Sequence, residues 1–106
     1  MSGNFLKLYV PQTAKHDGKL LYEWLLEEAQ ALGIPGGSAF RAVAGYGRHG
    51  KMHEEHFFEL AGDLPMTVEF CAEEAAINLL LARLQAEKVS LFYVRFAATS
   101  GTTAPD

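Results

Sequence analysis

Apolar residues recur along this chain with two different spacings, and the alternation between those spacings outlines six elements. Leu6, Leu8 and Val10 alternate with Phe5, Lys7 and Tyr9, the period of two expected of a half-buried strand. Pro11 ends it, because proline has no N–H to give a ladder. From about residue 18 to 32 the spacing lengthens, and Leu21, Leu25, Ala29 and Leu32 fall on one helical stripe with Trp24 beside it. Asp17 is the candidate N-cap. Gly33-Ile34-Pro35 reads as a stop: glycine suits the left-handed position after the last turn, Ile packs back, and proline bars continuation. Alternation returns from about Ser38 through Tyr46, and again in Leu64–Cys71, where Met66, Val68 and Phe70 share a face. Glu73 and Glu74 open a second helix, where carboxylates complement the dipole, and Ile77, Leu80, Leu81 and Leu84 form its apolar side. Val89 to about Ala97 is the last strand, with Phe92, Val94 and Phe96 on one face and Leu91, Tyr93 and Arg95 on the other.

Strand, helix, strand, strand, helix, strand is the ferredoxin-like order of an α+β protein. Two right-handed crossovers then place both helices on one face of a four-stranded antiparallel sheet. On the helix-free face the alternation puts Lys7, Tyr9, Arg41, Glu69, Tyr93 and Arg95, along with Phe5, Val43, Thr67 and Cys71. Aromatic and arginine side chains with pairable opposite charges are typical of subunit interfaces, so this face is read as an oligomer surface. The alternative is a solvated face with incidental aromatics.

Residues 41–57 carry the most distinctive chemistry. Gly45, Gly47 and Gly50 stand among Arg48, His49, Lys51, His53 and His56, with no carboxylate before Glu54. Backbone N–H groups beside basic side chains make an anion cradle, with Arg41, Gly45, Gly47, Arg48 and Lys51 as candidate ligand-binding residues and His53 as a further donor. A hairpin tip kept soluble by its charges is the competing reading. Gly-Tyr-Gly is too short for a nucleotide fingerprint and lacks the strand-to-helix setting one needs. His49, His53 and His56 suit zinc, copper or nickel by type, but their spacing gathers two on one side only in a helix, so no metal is expected. Ser38, Ser90 and Ser100 have no motif around them and Cys71 reads as a packing residue, so an enzyme is not expected.

Composition narrows the class further. The 106 residues allow one domain, placed at 1–98 with a flexible tail at 99–106. With 49 % hydrophobic and 21 % charged residues, the chain is expected to fold rather than stay disordered. A formal net charge of −4 argues against nucleic-acid wrapping. One cysteine excludes an internal disulfide framework and a cysteine-built zinc site. No stretch reads as a leader or as long enough to insert in a membrane, so a cytoplasmic setting is expected.

Asp17-Gly18-Lys19-Leu20-Leu21-Tyr22, Gly33-Ile34, Arg41-x-x-x-Gly45-Tyr46-Gly47, His53 and Leu64-Pro65, in that order, resemble the PII-like family catalogued as domain of unknown function 190. The resemblance spans roughly residues 5–97. It implies a ferredoxin-like homotrimer with sheets facing inward, whose 45–57 hairpin corresponds to the T-loop of PII signalling proteins. It further implies an adenine nucleotide bound in clefts between subunits, and a regulatory partner reached through the hairpin. Some relatives are joined to or encoded near fluoride-channel domains, which suggests a membrane transporter or channel as that partner. The chain departs from the PII pattern before its last strand, where Gln85-Ala86-Glu87-Lys88-Val89 replaces a glycine- and lysine-rich phosphate loop, and again after it, where Ala97-Ala98-Thr99-Ser100-Gly101 replaces basic residues. Lys88 and Arg95 are the phosphate ligands left in that half. Three readings stay open: a sensor of a small anion or adenine nucleotide, a metal-binding trimer resembling the CutA type, and a ligand-free adaptor trimer.

Overall fold

The computed structural model describes residues 1–46 and 65–104. Its elements are β1 (Ser2–Pro11), β2 (Lys15–His16), β3 (Lys19–Leu20), α1 (Leu21–Ala31), β4 (Gly37–Arg41), β5 (Pro65–Ala72), α2 (Glu74–Ala86) and β6 (Tyr93–Thr99). The main sheet runs β4-β5-β1-β6, with every neighbouring pair antiparallel. Leaving out the small β2–β3 hairpin, this is the ferredoxin-like arrangement expected from the order of elements, with β5 and β1 at the centre. None of the described helices is long and apolar enough to cross a membrane.

One face of the sheet and the two helices enclose the core. Leu6, Leu8 and Val10 of β1 and Val68, Phe70 and Ala72 of β5 meet Leu21, Trp24, Leu25 and Ala29 of α1 and Ile77, Leu80 and Leu84 of α2. Each large apolar side chain buried here contributes about 1.5–3 kcal/mol. Trp24 is 5 % exposed, which makes it a core residue. Among the described residues no polar or charged residue is buried, so the core is held by apolar packing alone.

The helix ends follow from local chemistry, with one correction. After α1 the Gly33 N–H donates to the Gln30 carbonyl (3.1 Å) and the Ile34 N–H to the Ala29 carbonyl (3.0 Å), with Gly33 at φ +85°. That is a Schellman stop, and Ile34 is buried as its hydrophobic contact. Asp17, expected as the N-cap of α1, is not one. It forms with Gly18 the two-residue turn between β2 and β3, at φ +52° and +79°, where His16 pairs with Lys19 and Lys15 with Leu20. Asp-Gly is a strong signal for such a hairpin, and here that geometry prevails over capping. The helix starts at Leu21, with Leu20 before it and no side-chain cap.

Strand pairing reaches further toward both termini than the alternation outlined. β1 begins at Ser2, and Thr99 belongs to β6 rather than to a tail. The amino terminus donates to the Ser100 carbonyl (2.6 Å), and the Ser100 N–H donates back to the Met1 carbonyl (2.9 Å).

Candidate functional site

Strand register fixes what lies on the helix-free face. Phe5 stands opposite Cys71 on β5 and Phe96 on β6, Lys7 opposite Glu69 and Val94, and Tyr9 opposite Thr67. On the far side of β5, Ser38 faces Glu69 and Phe40 faces Thr67. Phe5 and Phe96 stack with centroids 5.0 Å apart, and Tyr9 meets the ring of Phe92 at 5.4 Å. Glu69 also accepts from the Thr67 hydroxyl at 2.9 Å. The face is thus two aromatic rows flanking a Lys7–Glu69 middle. Its outer members stay open: Phe40 is 52 % exposed, Phe92 51 % and Phe96 51 %. Contiguous exposed rings of this kind mark an interaction surface.

Three of the six expected interface residues lie on the other side. Tyr93 pairs with Leu8 and Arg95 with Leu6, and both leucines belong to the core. Arg41 pairs with Met66, which is buried toward the helices. β6 is an edge strand of the sheet. Arg95 finds polar partners at that margin, donating to Asn4 Oδ1 and to the Glu74 carbonyl at the start of α2. The apolar side, Val94 and Phe96, is left facing outward. Lys7, Tyr9 and Glu69 do lie on the helix-free face.

Of the expected ligand-binding residues, Arg41, Gly45 and Lys88 are among the described residues, and Arg41 and Lys88 adjoin opposite edges of the sheet. Arg41 ends β4, and the last ladder bond there runs from the Ala42 N–H to the Pro65 carbonyl (3.0 Å). Gly45 follows four residues later. Gly47, Arg48, Lys51 and His53, together with His49 and His56, lie outside the described residues, as does most of the 45–57 hairpin. Lys88 sits toward the opposite edge, ahead of β6, as the left-handed residue (φ +60°) that closes α2. Its N–H donates to the Gln85 carbonyl and that of Val89 to the Leu84 carbonyl, the same stop that Gly33 makes after α1. Beside it a cleft of about 340 Å³ opens between α2 and β6, with Leu81, Leu84, Val89, Leu91 and Tyr93 among its walls. Because strands are spaced about 4.8 Å apart, a four-stranded sheet puts its edges roughly 14 Å from one another. A single chain therefore does not bring Arg41 to Lys88.

One cluster of potential metal ligands escaped the sequence reading. His16, Asp17 and Glu87 place a nitrogen and two carboxylate oxygens within 4.8 Å of one another. The Glu87 carboxyl is held below the usual carboxylate range, chiefly by its hydrogen bond with His16 and also by the charge of Arg83. His16 and Glu87 lie 71 positions apart, and only the fold joins them.

The chain is similar to proteins already described. A UPF0166 protein of Aquifex aeolicus is 34 % identical over 80 residues, covering 76 % of each chain. A UPF0166 protein of Methanocaldococcus jannaschii is 30 % identical over 84 residues, covering 79 % of this chain and 77 % of that one. Among solved structures, CPII, a nitrogen regulatory PII-like protein from Thiomonas intermedia K12 bound to ADP, AMP and bicarbonate, superposes with a TM-score of 0.68 at 19 % identity, covering 96 % of this chain and 91 % of that one. A second CPII structure, bound to ADP and bicarbonate, gives 0.57 at 22 % identity over 92 % and 85 %. The shared fold is thus that of PII-like proteins. Residues 3–90 match the family model described as DUF190, Uncharacterized ACR, and the chain belongs to that family.

Proposed function

We propose that this protein is a PII-like regulatory protein of the cytoplasm: a homotrimer that binds a small anionic ligand, an adenine nucleotide by preference, in the clefts between subunits. Binding, rather than catalysis, is its work. The 45–57 hairpin then reports the ligand to a partner protein, a membrane transporter or channel being the class that the resemblance favours. The observation that carries this reading is the helix-free face, where Tyr9, Phe40, Phe92 and Phe96 stay exposed around the Lys7–Glu69 pair. Burying such a surface is favourable at about 25 cal/mol per Å² of apolar area.

The division of basic residues between the two sheet edges supports a site between copies. Arg41 ends β4 and Gly45 follows it at one edge, while Lys88 and the cleft, walled in part by the apolar Leu81, Leu84, Val89 and Leu91, adjoin β6 at the other. An anion that uses both sets needs one from each of two subunits. A base would lie against the apolar wall, and its phosphates would meet the glycine backbone and Arg41, Arg48, Lys51 and Lys88. Each charge-assisted hydrogen bond there contributes about 1.5–3 kcal/mol. CPII, bound to ADP in the same fold, makes adenine nucleotides the first ligands to try.

Calorimetric titration with ATP, ADP, AMP and cyclic nucleotides tests the reading. At least one should bind wild type and fail to bind the Arg48→Ala/Lys51→Ala double variant, with assembly unchanged. Equal affinity in both proteins moves the site elsewhere, and the absence of heat from every nucleotide leaves the adaptor reading in its place.

A further inference from the structure

The hairpin β2–β3 and the C-terminal end of α2 meet around one imidazole. Nε2 of His16 is 2.9 Å from Glu87 Oε1 and 3.6 Å from Asp17 Oδ2. Zinc bonds to N and O ligands of about 2.0–2.1 Å put the corners of a tetrahedral site roughly 3.3 Å apart. The two distances from His16 bracket that value, and all three ligand atoms lie within 4.8 Å of one another, so a cation needs the carboxylates to close in on it.

The donors are also held in place. The His16 ring packs edge-on against Trp24, with centroids 4.4 Å apart and planes at 60°, and its side chain is only 17 % exposed. The backbone of Asp17 is set by its left-handed turn position, which brings its largely exposed carboxylate beside the ring. The second oxygen of Glu87 accepts from Arg83 Nη1 at 2.9 Å, and Arg83 is itself held by Glu28 at 2.6 Å. Outer partners that orient a carboxylate in this way are typical around metal ligands.

Electrostatics favour a cation at the same point. With the imidazole neutral, the carboxylates of Asp17, Glu87 and Glu28 outnumber the one guanidinium of Arg83. Glu87 is also the C-cap of α2, at the negative end of its dipole. We propose that His16, Asp17 and Glu87 form a binding site for a divalent transition-metal cation of the zinc type. An imidazole beside two carboxylates selects such an ion over magnesium or calcium, which prefer oxygen alone. Three protein ligands leave the fourth position to water. The site is distinct from the hairpin histidines and does not depend on nucleotide binding.

The test is calorimetric titration of metal-stripped full-length protein with zinc chloride, and with magnesium chloride beside it. The variants are His16→Ala, Glu87→Gln, Asp17→Asn and the triple His49→Ala/His53→Ala/His56→Ala. Wild type and the triple variant should each take up one zinc per chain, and magnesium should give no heat. Each single variant should weaken zinc by at least about tenfold, the least that even an outer partner's loss costs. Asp17→Asn decides if His16→Ala folds poorly, because the Asp17 side chain is 72 % exposed and asparagine accepts the same left-handed turn. Unchanged affinity in Asp17→Asn, loss of zinc in the triple variant alone, or no zinc uptake by wild type (the plain ion pair of a protonated His16) each overturns the proposal.

Discussion

Replacing Lys88 by glycine should stabilise the protein, although Lys88 is one of its few basic residues on that edge of the sheet. Lys88 adopts φ +60°, a region in which the Cβ of an L-residue crowds the following carbonyl at a cost of about 1–2 kcal/mol. Glycine removes that crowding but gains freedom in the unfolded chain, which takes back about 0.4–1 kcal/mol. Both stop-motif hydrogen bonds are made by backbone groups and survive the change. The net gain is about 0.5–1 kcal/mol, and for a domain of this size 1 kcal/mol moves Tm by about 4–8 °C. Thermal unfolding followed by circular dichroism, at one fixed protein concentration, should therefore show a rise of a few degrees. Gly33→Ala, at the matching position after α1, should fall by a comparable amount, since φ +85° suits glycine. A lower Tm for Lys88→Gly would refute the strain argument. In nucleotide titration the same variant should lose affinity, because the charge is gone, so one substitution reports stability and binding with opposite signs.

Glu69→Lys should weaken assembly, because it sets a second cation opposite Lys7 on the face that the proposed trimer would desolvate; a buried charge left without a partner costs about 3–5 kcal/mol, and normal assembly in size-exclusion chromatography would count against it. Gly37→Ala should destabilise by about 1–3 kcal/mol in urea titration, since its Cβ would overlap the ring of Phe70, which is 2 % exposed and cannot move aside. In metal-free protein the depressed Glu87 carboxyl contributes stability that is fully present above the ordinary carboxylate value of about 4.3 and is lost as pH falls through the lower folded value. The stability gap between wild type and Glu87→Gln should accordingly shrink as pH drops from 6 to 3, and a constant gap would contradict the assignment.

Local signals in the sequence were reliable where one reading dominated and misleading where two competed. Gly33-Ile34-Pro35 stops α1 because each of its residues favours the same ending. Asp17-Gly18 serves equally as a helix cap or a hairpin turn, and only the pairing of β2 with β3 decides. The facing of β6 is set by the fold rather than by its own pattern. Alternation sets Val94 and Phe96 opposite Tyr93 and Arg95 without fixing which side meets the helices, and this edge strand turns Val94 and Phe96 to a surface that the single chain leaves open. Arg41, Tyr93 and Arg95 changed faces with their strands' register, which alternation alone does not anchor. Lys88 in a left-handed stop is unreadable from sequence, since glycine is the usual signal there. The cluster of His16 and Glu87 depends on a contact between distant segments.

Assembly through the helix-free face is the claim on which the intersubunit site depends, and light scattering of the purified protein at micromolar concentration tests it most directly. The expected mass is three times the 11.6 kDa of the chain. A mass of a single chain would leave Phe40, Phe92 and Phe96 exposed in solution, divide Arg41 from Lys88 for good, and contradict the proposed function.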